Sequence, residues 1–329
     1  MAMGQERFHD PVLVAEVIAF LVRRPGIYID GTLGGGGHSL AMLHALREAG
    51  YLQRSLLIGI DQDDDALRQA GGRLAGFATS SVLVKGNFQD IEGIINRVCR
   101  DKGVDPLVAG ILLDLGVSSF QIDTAERGFS YLRDGALDMR MDGDASLTAG
   151  EIVNTWEERE LARLFYRYGE EPRSRSIARA IVAHRQAYGS VNGTQELAAI
   201  IRDNAYGGEK VIKTLSRVFQ ALRIEVNGEL DVLIRAIDGG INCLDGHGRM
   251  AVISYHSLED RIVKKAFAEK AKSDWGPKGV GLREPLVTGD ITLITRKPLG
   301  ATPEEIELNS RSRSAKLRVI EKLPLRSLL

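Results

Sequence analysis

Gly26-Ile-Tyr-Ile-Asp30-Gly-Thr-Leu-Gly-Gly-Gly-Gly-His38 is the stretch whose reading decides the fold. An apolar run too short for a helix ends on an acid, glycines follow at once, and a helical pattern runs from 38 to 49. Strand, turn and helix in that order form the repeating unit of a parallel sheet wrapped by helices. The same rhythm continues outward from it. Residues 55–61 read as a second strand followed by a helix over 64–74, residues 81–85 as a third strand and 108–114 as a fourth. Upstream, Asp10 as an N-cap with Pro11 at the first helical position predicts a helix through Val22.

From Ser130 to Lys213 the rhythm stops and amphipathic helical stretches follow one another, at 157–168, 173–187 and 194–204. Thr148 with Glu151 three residues on adds a capping signal. Strand-like segments return at 249–254, 291–295 and 316–320, after a long helix over 215–237. The expectation is therefore an α/β fold with a Rossmann-like core, discontinuous over 1–128 and 214–329, and an inserted all-helical domain over 129–213. Residues 272–289, rich in Gly and Pro, read as a mobile loop.

Bulk properties remove several classes of function. The 329 residues are 44% hydrophobic and 26% charged, enough apolar material for a large core. The apolar stretch at 11–22 is too short to span a bilayer and carries Glu16, so neither a membrane partner nor an export signal is expected, and a cytoplasmic location is. Cys99 and Cys243 have no C-x-x-C partner, and the six histidines lack metal-ligand spacing, so no disulfide framework and no metal is expected. Net charge is near zero, but its distribution is uneven. Residues 172–190 hold four arginines and one histidine without an acid, and 308–329 hold six Lys or Arg against Glu321. Local basic patches of this kind suit a polyanion; solvated faces are the bland alternative.

The glycine loop fits the dinucleotide fingerprint loosely and has no Walker lysine, so an adenosyl ligand without phosphates fits better than a nucleotide. Asp61 ends the second strand, where an acid in such folds accepts from ribose hydroxyls. Asn87-Phe88 follows the third strand and offers a ring to adenine, with core packing the alternative. Asp114 closes the fourth strand. Three carboxylates at the carboxyl ends of strands thus converge on the crevice where open α/β sheets bind ligands.

Eight motifs then carry a resemblance. They are Asp30-Gly-Thr-x-Gly-x-Gly-Gly-His38, Asp114-Leu-Gly-Val-Ser-Ser-x-Gln-x-Asp123, Arg127-Gly-Phe-Ser130, Leu137-Asp-Met-Arg-Met-Asp142, Tyr168-Gly-Glu-Glu171, Phe219-Gln-Ala-Leu-Arg223, His256-Ser-Leu-Glu-Asp-Arg261 and Asn309-x-Arg-x-Arg-Ser-Ala-Lys-Leu-Arg318. In this order, from His9 to Arg318, the chain resembles the bacterial 16S ribosomal RNA cytosine-N(4) methyltransferases. The resemblance implies a class I methyltransferase core that binds S-adenosyl-L-methionine through Gly36, Gly37 and His38, Asp61 at the ribose, Phe88 near adenine, and Asp114 and Gln121 toward the methionine. It implies 16S ribosomal RNA of the small subunit as partner, held in part by the helical insertion. Phe120 stands where the family has proline, Tyr255 where it has phenylalanine, and Lys213-Thr-Leu-Ser216 where it has His-Pro-Ala-Thr.

Attack by a cytosine amine on a methyl donor needs an acceptor for the amine proton, because the nitrogen lone pair is delocalised into the ring. Asp114 is the first candidate, ahead of Ser118 and His256. Phe120, Phe129 and Tyr255 are candidates to stack an extruded base. Arg127, Arg140, Arg311, Arg313 and Lys316 are candidates for phosphate, against ion pairing with acids such as Asp138 and Asp142. Other readings stay open: a methyltransferase of a protein or small molecule, an NAD-dependent oxidoreductase or other nucleotide-binding protein, and a catalytically silent RNA-binding module. Monomer and homodimer are both compatible with the sequence.

Overall fold

The computed structural model describes residues 11–324 except 206, 275, 277–284 and 287, and of 119, 120 and 209 the backbone alone. The chain divides into two compact units, Met1–Gly116 with Val232–Leu329, and Val117–Asp231. The expected boundaries at 128 and 214 therefore lie inside the second unit.

The first unit is built on a seven-stranded sheet of β1 (Ile27–Asp30), β2 (Leu56–Asp61), β3 (Ser81–Lys85), β4 (Val108–Asp114), β5 (Leu244–Ser254), β6 (Ile291–Leu293) and β7 (Lys316–Lys322), in the order β3-β2-β1-β4-β5-β7-β6. The first five strands pair in parallel, and β7 runs antiparallel to both β5 and β6. Successive side chains alternate faces, as the strand period of two requires. Ile27, Ile29, Ile111, Leu113, Met250 and Val252 join one apolar cluster with the helices Ile91–Lys102, Glu229–Cys243 and Ser257–Lys270. Tyr28, Leu57, Leu112, Ala251, Ile253 and Val319 join the other, with Val14–Leu21, Gly37–Glu48 and Asp64–Arg73. Each fully buried aliphatic side chain in these layers contributes roughly 1.5–3 kcal/mol. Because β1 lies between β2 and β4, the connections leaving β1 and β4 diverge, and the crevice between their carboxyl ends is the ligand position of an open α/β sheet.

The second unit is helical, with Ala149–Thr155, Glu158–Gly169, Ser174–Tyr188, Thr194–Asn204 and Glu209–Asn227 around their own core. Leu161, Leu164 and Phe165, then Ile177, Ala178 and Ile181, then Leu197, Ala198 and Ile201 recur at helical spacing and are buried. The Oγ1 of Thr148 accepts the Glu151 N–H at 3.1 Å and caps the first of these helices.

Three elements differ from expectation by more than two residues. The long helix over 215–237 is two helices, Glu209–Asn227 and Glu229–Cys243, because Gly228 adopts φ 59° and caps the first in the left-handed conformation. The helix expected from Pro11 begins at Val14, since Leu13 takes φ 55° and its N–H goes to Glu305 Oε1 at 2.7 Å; the expected cap, Asp10, lies outside the described residues. Most of the loop expected at 272–289 also lies outside them. Strand β5 starts at Leu244, five residues before the expected 249.

Candidate active site

Asp30 is the last residue of β1 and is 1% exposed. Its Oδ2 accepts the Ser39 hydroxyl at 2.7 Å and its Oδ1 the Thr32 N–H at 3.3 Å. Burial raises its pKa above the usual carboxylate range, against the pull of His38, Ser39 and Thr32. The chain then turns through Gly34 at φ 49° and Gly36 at φ 76°, conformations that disfavour side chains, and Gly36 becomes the cap of the helix Gly37–Glu48. A Cβ on Gly36 would meet Ala70 at 3.2 Å, so this glycine also serves close helix packing. The first-turn N–H groups of Gly37 and His38 have no partner within the helix and carry the positive end of its dipole.

His38 projects from that turn into the interior. Its Nε2 lies 3.4 Å from Asp114 Oδ2, an ion-pair distance without hydrogen-bond geometry, and both ring nitrogens are buried with no hydrogen-bond partner among the described residues. Burial alone would lower its pKa; the carboxylates of Asp114 and Asp30 outweigh it and raise the value, which favours the imidazolium.

Asp61 ends β2. Its Oδ2 accepts the Gly34 N–H at 2.8 Å and its Oδ1 the Asp63 N–H at 2.9 Å, which ties the second strand to the glycine turn of the first. Burial nevertheless pushes its pKa up to about 6, with the charges of Asp63 and Asp30 adding to the effect and the two amides opposing it. Asn87 caps the turn Phe88–Asp90 by accepting the Gln89 N–H at 3.0 Å. Phe88 is half-buried against the sheet's first apolar cluster.

Asp114 ends β4. Its backbone N–H donates to Thr32 Oγ1 at 2.6 Å, and its Oδ1 accepts the Tyr255 hydroxyl at 2.8 Å. Of the acids expected at three strand ends, Asp114 meets His38 and Tyr255 and Asp30 lies near His38, while Asp61 is held on the glycine turn. A cavity of about 830 Å³ opens beside Gly37, lined by Pro11, Val14, His44, Arg73 and Glu305, and none of the three carboxylates lines it.

His256 is the N-cap of the helix Ser257–Lys270. Its Nδ1 accepts the Glu259 N–H at 3.4 Å, while Glu259 Oε2 accepts the His256 and Tyr255 N–H groups at 3.2 and 2.8 Å. An accepting Nδ1 places the ring proton on Nε2, 3.1 Å from Glu259 Oε1. A reciprocal capping box explains this histidine without a catalytic duty.

Ser118 and Gln121 belong to the second unit. The Ser118 N–H donates to Gln121 Oε1 at 3.0 Å and the Gln121 N–H to Ser118 Oγ at 3.2 Å, the mutual cap of a helix over Ser119–Asp123. Arg127 Nη2 donates to the carbonyls of Arg140 and Met141, and Arg140 forms a fork on Asp138 at 2.9 and 2.7 Å while reaching the carbonyls of Gly143 and Ala145. Both arginines hold a loop together, Arg140 through the ion pair with Asp138 that was its alternative and Arg127 through backbone carbonyls. Phe129 packs half-buried on the helical core beside Arg127; the side chain of Phe120 lies outside the described atoms.

At the C-terminal end, Arg311 and Arg313 lie in the turn Ser310–Ser314, with Arg313 exposed. Lys316 Nζ sits 3.4 Å from Asp260 Oδ2, and the buried Arg318 donates through Nε to Asp260 Oδ1 at 2.7 Å. Arg318 and Asp260, in two of the eight motifs but not among the candidate residues, pin β7 to the helix Ser257–Lys270. Thr32 and Ser39 are likewise outside the candidates, and Tyr255 is among them for its ring and not for its hydroxyl. Thr32 sits inside the glycine motif and Tyr255 at a departure from the family, signals that pointed to both.

Comparison with known proteins bears on this site. Over 323 residues, 98% of this chain and 97% of its relative, the chain is 73% identical to a protein of Pelodictyon phaeoclathratiforme named ribosomal RNA small subunit methyltransferase H. Proteins of the same name from Chlorobium phaeobacteroides and Chlorobium luteolum are 64% and 59% identical, each covering 97% or more of both chains. Among solved structures, a rRNA methylase from Streptococcus thermophilus aligns over 98% of this chain and 99% of its own with a TM-score of 0.38 and 11% identity, a distance at which it adds nothing to the sheet order. The sequence pattern of the MraW methylase family matches residues 6–323, and the chain belongs to that family.

Proposed function

We propose that this chain methylates the exocyclic N(4) amine of a cytidine in the 16S ribosomal RNA of the small subunit, with S-adenosyl-L-methionine as donor. The observation that carries the reading is near-full-length identity of 73% to a ribosomal RNA small subunit methyltransferase H. The residues of the first unit fit the donor. His38 has two buried nitrogens without hydrogen-bond partners among the described residues, Gly37 and His38 offer first-turn N–H groups, and Asp61 carries a carboxylate whose charge burial disfavours and further donors would support. Gly36, Gly37 and His38 would contact the donor at the glycine loop, Asp61 the ribose hydroxyls, Phe88 the adenine, and Asp114 and Gln121 would lie toward the methionine. When bound, the sulfonium supplies an electrophilic methyl with a good leaving group.

The chain's own task is to position the amine in line and draw its proton as the nitrogen pyramidalises. Asp114 is assigned that acceptor role. Its two oxygens are aligned by Tyr255 and His38, and its main chain is fixed on Thr32. The second unit and the C-terminal Arg311, Arg313 and Lys316 are assigned to the RNA; of the arginines, exposed Arg313 is the strongest phosphate candidate, while Arg127 and Arg140 are held within their loop.

The test is incubation of unmodified small subunits with labelled donor, followed by mass spectrometry of the nucleosides. N(4)-methylcytidine is expected with the wild type, and Asp114→Ala is expected to reduce the rate by about 10²-fold or more, the range for loss of a general acid or base. Label on protein alone, with no modified cytidine, would overturn the reading.

A further inference from the structure

We propose that Tyr255 is a positioning residue for Asp114, a hydroxyl clamp on its carboxylate. The inference rests on the assignment of Asp114 as proton acceptor. In the parallel pairing of β4 with β5, Asp114 stands opposite Ile253, and the Leu115 N–H donates to the Ile253 carbonyl at 3.0 Å. The two strand ends are therefore locked, and Tyr255 follows two residues past that point. Its backbone N–H is held by Glu259 Oε2 at 2.8 Å, and a Cβ on Gly116, which has φ 104°, would lie 3.5 Å from the ring at Cδ2. From that position the hydroxyl donates to Asp114 Oδ1 at 2.8 Å.

The consequence for Asp114 is chemical. A carboxylate at a strand end can rotate about its last torsion, and the lone pair facing an incoming amine changes with that rotation. The phenol commits Oδ1 through a directional bond and sets the carboxylate plane, with His38 Nε2 facing Oδ2 at 3.4 Å. Burial, with the Asp114 charge adding to it, raises the Tyr255 pKa far beyond the working range, so the phenol stays protonated and donates at every usable pH. The charged groups around the pair are Asp30 from β1, His38 from the helix Gly37–Glu48, Glu259 from the helix Ser257–Lys270 and Glu305 from the helix Pro303–Leu308.

The experiment is the pH dependence of kcat/KM for small-subunit methylation by wild type and Tyr255→Phe, with thermal melting of both. Loss of a hydrogen bond to a charged acceptor is expected to move the acid limb of the profile up by about one pH unit. A several-fold fall in kcat is expected with it, while KM for the donor stays unchanged. Superimposable profiles, whatever happens to the melting temperature, would overturn the inference and leave the methyltransferase assignment standing. A wild type that modifies no cytidine would overturn both.

Discussion

Burial and backbone donors pull the Asp61 proton in opposite directions, and burial prevails. With its pKa at about 6 instead of 3.8, this group binds its proton more tightly in the folded chain than in the unfolded one. Its stabilising contribution is therefore full below 3.8 and is lost as pH rises through about 6. Donor binding acts against this, because ribose hydroxyls offered to the carboxylate favour its ionised form. Affinity for S-adenosyl-L-methionine should then fall as pH drops below about 6, by at most about tenfold per unit. Titration calorimetry at pH 6 in buffers of different ionisation enthalpy should detect proton release on binding, and Asp61→Asn should abolish that release. Binding with no proton exchange in the wild type would remove Asp61 from the ribose contact. His38 shows the same logic with the opposite charge. Two neighbouring carboxylates outweigh its burial and raise its pKa, where both of its nitrogens lack hydrogen-bond partners among the described residues.

Elements differ in how much of them the sequence reveals. Strands β3 and β4 match the expected bounds, because each is a short apolar run closed by a charged residue at the sheet's edge of action. The break at Gly228 was hidden, since a lone glycine is tolerated inside a helix and only its left-handed φ makes it a terminus. At the site, the acids Asp30, Asp61 and Asp114 were legible as strand ends. The Tyr255 to Asp114 bond was not, because it joins residues 141 apart whose neighbourhood exists only once β4 and β5 pair. His256 was open to misreading for the opposite reason: a histidine followed three residues later by glutamate has cap spacing, while a family motif suggests chemistry. The cap makes a test available. His256→Ala should cost about 1 kcal/mol in denaturant unfolding, and His256→Asp, a good cap, should recover the loss and keep methylation near the wild-type rate. A His256→Asp protein that melts like the wild type and transfers no methyl group would restore the catalytic role.

At the scale of the whole molecule, two cores of different make share one chain. The sheet unit buries residues on both faces of parallel strands, and the helical unit buries a period-3.6 stripe from each of several helices. Units with separate cores respond separately to local damage, since changes far apart with no shared partners combine additively. Phe165 is fully buried in the helical core, and Phe165→Ala removes its ring from contact with that cluster alone. The expected cost is about 3–5 kcal/mol, including the cavity left behind. Hydrogen exchange should therefore accelerate across residues 149–226 while β1 to β5 keep their protection. Donor affinity, assigned under the proposed function to the sheet unit, should stay within about twofold of the wild type, and methylation of small subunits should fall if the helical unit holds the RNA as proposed. Because the substitution leaves every residue around Asp30, Asp61 and Asp114 in place, an equal loss of protection in both units would show the cores to be one cooperative body, and the division of labour between donor and RNA would go with it.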